Sequence, residues 1–174
     1  MKNLVDHLGQ YAEYHRDRRN IFSHFIGIPM IVLAVAILLS RPGWDITGCW
    51  VAPALFAAIA AGLFYLRLDL RFGLIMVVLL ALCLWAGTAL AQQSTPVWLG
   101  SGLGLFVVGW VIQFIGHYYE GRKPAFVDDL MGLIVGPLFV VAELAFLLSL
   151  RPEVQEAVER RAGPTCIRSR KPLA

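Results

Sequence analysis

YHRDRRNIFSHFIGIPMIVLAVAILLS, residues 14–40, sets a short polar segment directly against an apolar run that continues from Ile21 to Ser40. At 1.5 Å per residue, a run of about 20 residues reaches across the ~30 Å hydrocarbon core of a bilayer, so this stretch is predicted to be a membrane-spanning helix. The junction carries His15 on its polar side and His24 just inside the apolar run. Hydrocarbon penalises hydrogen-bonding and ionisable groups, so those held near it pair, line a wet cavity or bind something. A second junction, QFIGHYYE at 113–120, presents His117 in the same kind of setting.

Working outward, the whole chain has the composition of an integral membrane protein. Hydrophobic residues make up 58% and charged residues 16%, with a mean hydropathy of +0.67, far from a soluble average. Apolar stretches recur at Ile21 to Ser40, Trp50 to Leu66, Phe72 to Ala91, Val97 to Gly116 and Leu130 to Leu150. The length suits one integral membrane domain over 1–174, divided into an interfacial helix at 1–20, a helical bundle at 21–150 and a polar basic tail at 151–174. The first twenty residues are charged and amphipathic, so no cleavable signal is expected. Cys49, Cys83 and Cys166 form no CxxC pair, which argues against a disulfide framework or zinc ribbon. The net charge of +3 arises mainly from Arg16, Arg18 and Arg19 near the start and Arg168, Arg170 and Lys171 at the close. Anionic lipid headgroups account for these clusters, and nucleic acid is excluded as a partner because there is no soluble basic domain.

The distribution of Lys and Arg sets the expected topology. The N-terminal segment, the Arg67 to Arg71 turn and the loop with Arg122 and Lys123 are basic, whereas Gln92 to Pro96 carries no charge. The first three are therefore assigned to the cytoplasm. Five full crossings would leave the basic tail on the other side. Gly136 and Pro137 interrupt the last stretch, and proline there removes a helix hydrogen bond. The expected fold is thus all-α: a polytopic membrane helix bundle of about four spanning helices, an N-terminal amphipathic helix and a broken or re-entrant C-terminal segment.

Under this topology His15, His24 and His117 lie on one side of the membrane. Gln113, His117 and Glu120 follow i, i+4, i+7 and share a helix face. His15 and His24 are nine residues apart and would point to opposite sides of one continuous helix, so the chain must bend between them. A separate N-terminal helix follows, with Leu4, Leu8 and Tyr11 forming an apolar stripe that would lie on the bilayer. A lone interfacial histidine usually bonds a carbonyl or a headgroup; three that converge suggest a metal. His7 belongs to the polar face and is expected to be solvated. Glu143, inside an apolar stretch, is open to three readings, a metal ligand, a neutral hydrogen-bonded acid or an acceptor for an imidazole N–H, of which the last is favoured. An interfacial belt explains most of the tryptophans, and close helix packing explains the recurring glycines. No GxSxG, HExxH or Walker sequence occurs.

Imidazole ligands with a carboxylate nearby suit zinc or non-haem iron. Membrane desaturases and hydroxylases hold two irons with many more histidines than the four in this chain, so a single metal is the economical reading. The segments YHRDRRNIFSHFIGIP (Tyr14 to Pro29), WVIQFIGHYYEGRKPA (Trp110 to Ala125) and GPLFVVAE (Gly136 to Glu143) resemble the 2-hydroxy fatty acid dioxygenase family across nearly the whole chain. The resemblance implies an iron(II)-dependent enzyme of fatty-acid α-oxidation, which removes one carbon from a 2-hydroxy fatty acid with molecular oxygen. It places the metal ligands at His15, His24 and His117. Glu120 would complete the shell or orient a histidine, and Arg16, Arg19, Arg122 or Lys123 would attract the substrate carboxylate, arginine being better built for bidentate capture. The partners implied are a 2-hydroxy fatty acid, O2 and membrane lipids, with a homo-oligomer allowed. The location implied is a bacterial inner membrane or the endoplasmic reticulum, with the metal near the cytoplasmic face. Two alternatives stay open: a non-enzymatic lipid-binding or transport protein, and a zinc-dependent lipid hydrolase with Glu120 as base.

Overall fold

A computed structural model describes residues 2–168; Arg170 and Lys171 of the expected tail cluster lie outside the described residues. The helices are α1 (Leu4–Ala12), α2 (Arg18–Leu38), α3 (Pro53–Leu68), α4 (Leu70–Ala91), α5 (Thr95–Glu120), α6 (Met131–Leu147) and α7 (Pro152–Ala162). The all-α expectation holds, with one small addition: an antiparallel hairpin of β1 (Trp44–Ile46) and β2 (Cys49–Val51).

Among the described residues α2, α4 and α5 are long and apolar enough to cross a membrane, and α6 with α7, bent by 115°, makes a fourth candidate span if the pair is counted as one. The second apolar stretch makes a shorter helix than expected. Its Trp50 belongs to the hairpin, and the 16 residues of α3 reach about 24 Å, less than a full hydrocarbon core. The break in the last stretch also sits elsewhere than expected. Helix α6 continues through Gly136 and Pro137, and the chain turns at Ser149 and Arg151, which take φ of 56° and 58°. Pro152 then opens α7 at a first-turn position where its missing N–H costs nothing.

The chain forms two compact units, one joining the N-terminal part through Ile28 to the chain from Val111 onward, the other being Pro29–Trp110. In the first unit, Asn3 and Asp6 close a reciprocal capping box at the start of α1, satisfying two N–H groups that a helix start leaves orphaned. Leu4, Leu8, Tyr11 and Ala12 are buried, with α1 packed on α6 and α7. The apolar stripe predicted to lie on lipid is thus covered by protein. Helix α7 contributes buried Val154 and Val158, and its Arg161 pairs with Glu13 at 2.8 Å. The tail read as polar and basic therefore begins with an amphipathic helix folded back onto α1.

In the second unit, Asp69 ends α3 and caps α4 by accepting from the Phe72 N–H at 2.9 Å. Gly73 lets the two helices meet closely, since a Cβ there would lie 2.6 Å from the Leu66 Cα. Two tryptophans serve as ties. Trp98 donates to the Ile37 carbonyl at 2.7 Å, and Trp50 donates to that of Ser40 at 3.0 Å. Trp44 and Trp85 are exposed, as an interfacial belt requires.

Candidate metal centre

The site grows from a sharp change of direction. Helix α1 ends at Ala12, the Tyr14 and His15 N–H groups fold back onto the Tyr11 and Ala12 carbonyls, and α2 starts at Arg18. This is the bend that the phase mismatch between His15 and His24 demands. Asp17 accepts from the Arg19 N–H at 2.9 Å at the opening of α2, where a carboxylate also complements the helix dipole. The Arg19 guanidinium beside it, with the N–H groups of Arg168 and Arg19, holds the Asp17 carboxyl down at about 2.

Helix α5 comes alongside α2 where Gly116 faces Ser23 and Asn20. A Cβ at 116 would lie 1.9 Å from the Ser23 hydroxyl oxygen and 2.7 Å from Asn20 Oδ1. On the same face Gln113, His117 and Glu120 are buried, while Phe114, Ile115 and Tyr118 point outward. Gly116→Val is accordingly expected to cost about 1–3 kcal/mol through overpacking. It should also push His117 away from His24, lowering bound metal; melting and elemental analysis of one preparation read both effects.

His15, His24 and His117 converge. All three are buried, and one ligand nitrogen from each lies within 4.8 Å of the others. The ring centroids are 4.5 Å apart for His15–His24, 4.9 Å for His15–His117 and 5.2 Å for His24–His117, with interplanar angles of 72°, 68° and 77°. Nitrogens about 2.1 Å from one ion lie at most ~4.2 Å apart, so modest ring rotations complete the approach.

The hydrogen bonds set the tautomers. His15 Nδ1 is 2.7 Å from the Tyr11 carbonyl and His24 Nδ1 is 2.9 Å from that of Asn20. A carbonyl only accepts, so both Nδ1 atoms carry the proton, and in the neutral ring Nε2 keeps the lone pair a metal needs. Burial, then the neighbouring His24, pushes the His15 imidazole well below its usual value, keeping it neutral at pH 7. His15 Nε2, His117 Nδ1 and Gln113 Nε2 are buried with no hydrogen-bond partner. Orphaned polar atoms of this kind are costly inside a protein, and a metal with its bound ligands fits them. Tyr11 braces the arrangement, its ring stacked on His15 at 4.1 Å and 6°, with Phe139 tilted against both.

Three residues assigned to catalysis or carboxylate attraction are occupied elsewhere. Glu120 Oε2 accepts from the Arg16 N–H at 3.0 Å, the Asp17 N–H at 2.8 Å and Asn20 Nδ2 at 3.1 Å, and Oε1 pairs with Arg168 at 2.9 Å. It clamps the turn after His15. Arg16, 4% exposed, donates to the Ala12, His15 and Gly163 carbonyls and pairs with Glu143 at 3.0 Å. Glu143 was expected to accept from an imidazole; it binds the Arg16 guanidinium, and backbone carbonyls take the imidazole protons. Arg19 pairs with Asp17 at 2.7 Å and lies over the Tyr119 ring. His7 sits apart, beside Gln10, Tyr14 and Asp128 in a separate small cavity. Arg168, absent from the sequence-based set, carries no periodicity that would have marked it.

Residues 1–148 match the family described as 2-hydroxy-palmitic acid dioxygenase Mpo1-like. The chain belongs to the Mpo1-like family. The 2-hydroxy-palmitic acid dioxygenase MPO1 of Saccharomyces cerevisiae is 33% identical over 161 residues, covering 90% of this chain and 88% of that protein. No solved structure matches the chain. The Mpo1-like match contains all three histidines, Glu120 and Glu143, and it ends before α7.

Proposed function

We propose that the protein is an iron(II)-dependent dioxygenase that shortens a 2-hydroxy fatty acid by one carbon, with the metal held by His15, His24 and His117. The observation that carries this reading is the meeting of three buried imidazoles in a chain of the Mpo1-like family. When bound, iron would supply oxygen activation and a point of chelation for the substrate carboxylate and 2-hydroxyl. The net reaction balances without another reductant: a 2-hydroxy acid and O2 give the acid one carbon shorter, CO2 and water.

The chain's own residues do the rest. The Tyr11 and Asn20 carbonyls hold the Nδ1 protons of His15 and His24 and so orient both rings, the usual role of groups behind a metal ligand. Tyr11 and Phe139 give the site an apolar wall that limits water. Gln113, one helical turn from His117, offers its unpartnered amide to a bound polar group. Glu120 and Arg16 act as positioning residues through the turn they bind. The basic residues Arg18, Arg19, Arg122 and Lys123 lie near the ends of α2 and α5 that carry the histidines, which supports a cytoplasmic-facing site in a bacterial inner membrane or the endoplasmic reticulum.

Anaerobic purification without chelator, followed by elemental analysis and incubation with 2-hydroxypalmitate with and without oxygen, tests the proposal. The expected result is about one iron per chain and oxygen-dependent formation of pentadecanoate. Absence of iron with no shortened product on iron addition would overturn it, as would turnover of a lipid by a zinc-loaded protein without oxygen.

A further inference from the structure

The segment after α7 runs across the turn that carries His15. It joins Asp17 and Cys166 in a short parallel bridge, the Cys166 N–H donating to the Arg16 carbonyl and the Arg18 N–H to the Cys166 carbonyl, both at 2.9 Å. The Gly163 carbonyl accepts from Arg16 Nη1 at 3.1 Å. Arg168 adds four contacts: its N–H donates to Asp17 Oδ2 at 2.9 Å, its guanidinium pairs with Glu120 Oε1 at 2.9 Å and donates through Nη1 to the Glu120 carbonyl at 3.4 Å, and its own carbonyl accepts from Arg19 Nη2 at 2.9 Å.

These contacts fall where the bend leaves polar groups without helical partners. Arg18 is the first residue of α2, so its N–H has no intrahelical acceptor. The Cys166 carbonyl supplies one. Glu120, 2% exposed, would be a costly buried charge with only neutral donors, the Arg16 and Asp17 N–H groups and the Asn20 amide; the Arg168 guanidinium neutralises it. Helix α7 sets the reach of the segment, since Val154 and Val158 anchor it in the first unit. The region matched by the family model ends at residue 148, before this strap.

We infer that residues 163–168 form a strap whose Arg168, through Glu120 and Asp17, positions His15 and slows release of the bound metal. The inference rests on the reading of His15, His24 and His117 as a metal site. Arg168 touches neither ligand nor substrate and acts as a positioning residue. Its side chain is about one-third exposed, so the melting measurement and the Arg168→Lys variant separate lost packing from lost positioning.

Cobalt(II) is the probe, because its visible spectrum reports ligand geometry without turnover. Full-length parent, Arg168→Ala, Arg168→Lys and the control Arg160→Ala are loaded with cobalt, and release to excess chelator is timed beside thermal melting. Arg168→Ala is expected to release cobalt about 10–100-fold faster, the range seen when a group behind a metal ligand is lost, with altered absorption bands. Arg168→Lys should recover part of the change and Arg160→Ala should match the parent. Unchanged release and spectrum in Arg168→Ala would overturn the strap alone, as would a rate that rises only in proportion to lost stability. Failure of the parent itself to take up cobalt would overturn the metal reading and the strap's role together.

Discussion

His117→Leu is expected to lower metal affinity by more than about 100-fold and to abolish turnover, while leaving the metal-free protein as stable as the parent or more so. The first half follows from ligand loss: replacing a group behind a metal ligand costs about 10–100-fold, and a ligand itself costs more. The second half separates a ligand from an ordinary core histidine. His117 Nδ1 is buried without a hydrogen-bond partner, so in the metal-free protein it carries an uncompensated desolvation penalty of about 1–3 kcal/mol. Leucine fills much of the same space and removes that penalty. Metal should therefore raise the melting temperature of the parent, because it binds the native state, and leave that of the variant unchanged. Melting with EDTA and with excess iron(II) under anaerobic conditions gives both numbers. A variant that is markedly destabilised without metal, yet still stabilised by it, would show His117 to be a packing residue.

The parts of this site legible in the sequence were those governed by helical phase. Nine residues between His15 and His24 forced a bend, and i, i+4, i+7 spacing put Gln113, His117 and Glu120 on one face; α1, α2 and α5 obey both. Pairings between distant segments left no such trace. The partner of Glu143 is Arg16, which is 127 positions away, and Glu120 is satisfied by a turn and a tail that are likewise remote. Pro137 misled because proline weakens a helix without having to end it: α6 passes through it, and the turn falls where Ser149 and Arg151 adopt left-handed backbone. Arg151-Pro152 held the better signal, since the residue before proline avoids the α region and proline favours a helix start. The shortness of α3 was hidden for another reason. Apolar composition continues through Trp50 and Val51, but those residues pair with Trp44 and Asp45 in a hairpin, and hydropathy does not distinguish strand from helix over so few residues.

Glu120 decides between chemistry and support, and two substitutions at one position make the choice. In Glu120→Ala the N–H groups of Arg16 and Asp17, the Asn20 amide and the Arg168 guanidinium all lose their acceptor. Removing one member of a buried charged network costs about 3–5 kcal/mol, and here the loss falls on the turn that aims His15, so metal and activity should both be lost with stability. Glu120→Gln keeps one carbonyl oxygen for the three donors now served by Oε2, and because it removes the buried charge together with its pair, leaving the one-third-exposed Arg168 guanidinium to water, it should cost far less than the alanine. A glutamine cannot act as a base and is a poor metal ligand. If Glu120 works by clamping the turn, Glu120→Gln should keep kcat within about tenfold of the parent while releasing metal faster, as Arg168→Ala does. A Glu120→Gln protein that melts with the parent and holds iron, yet has lost turnover, would instead place this carboxylate in the reaction itself.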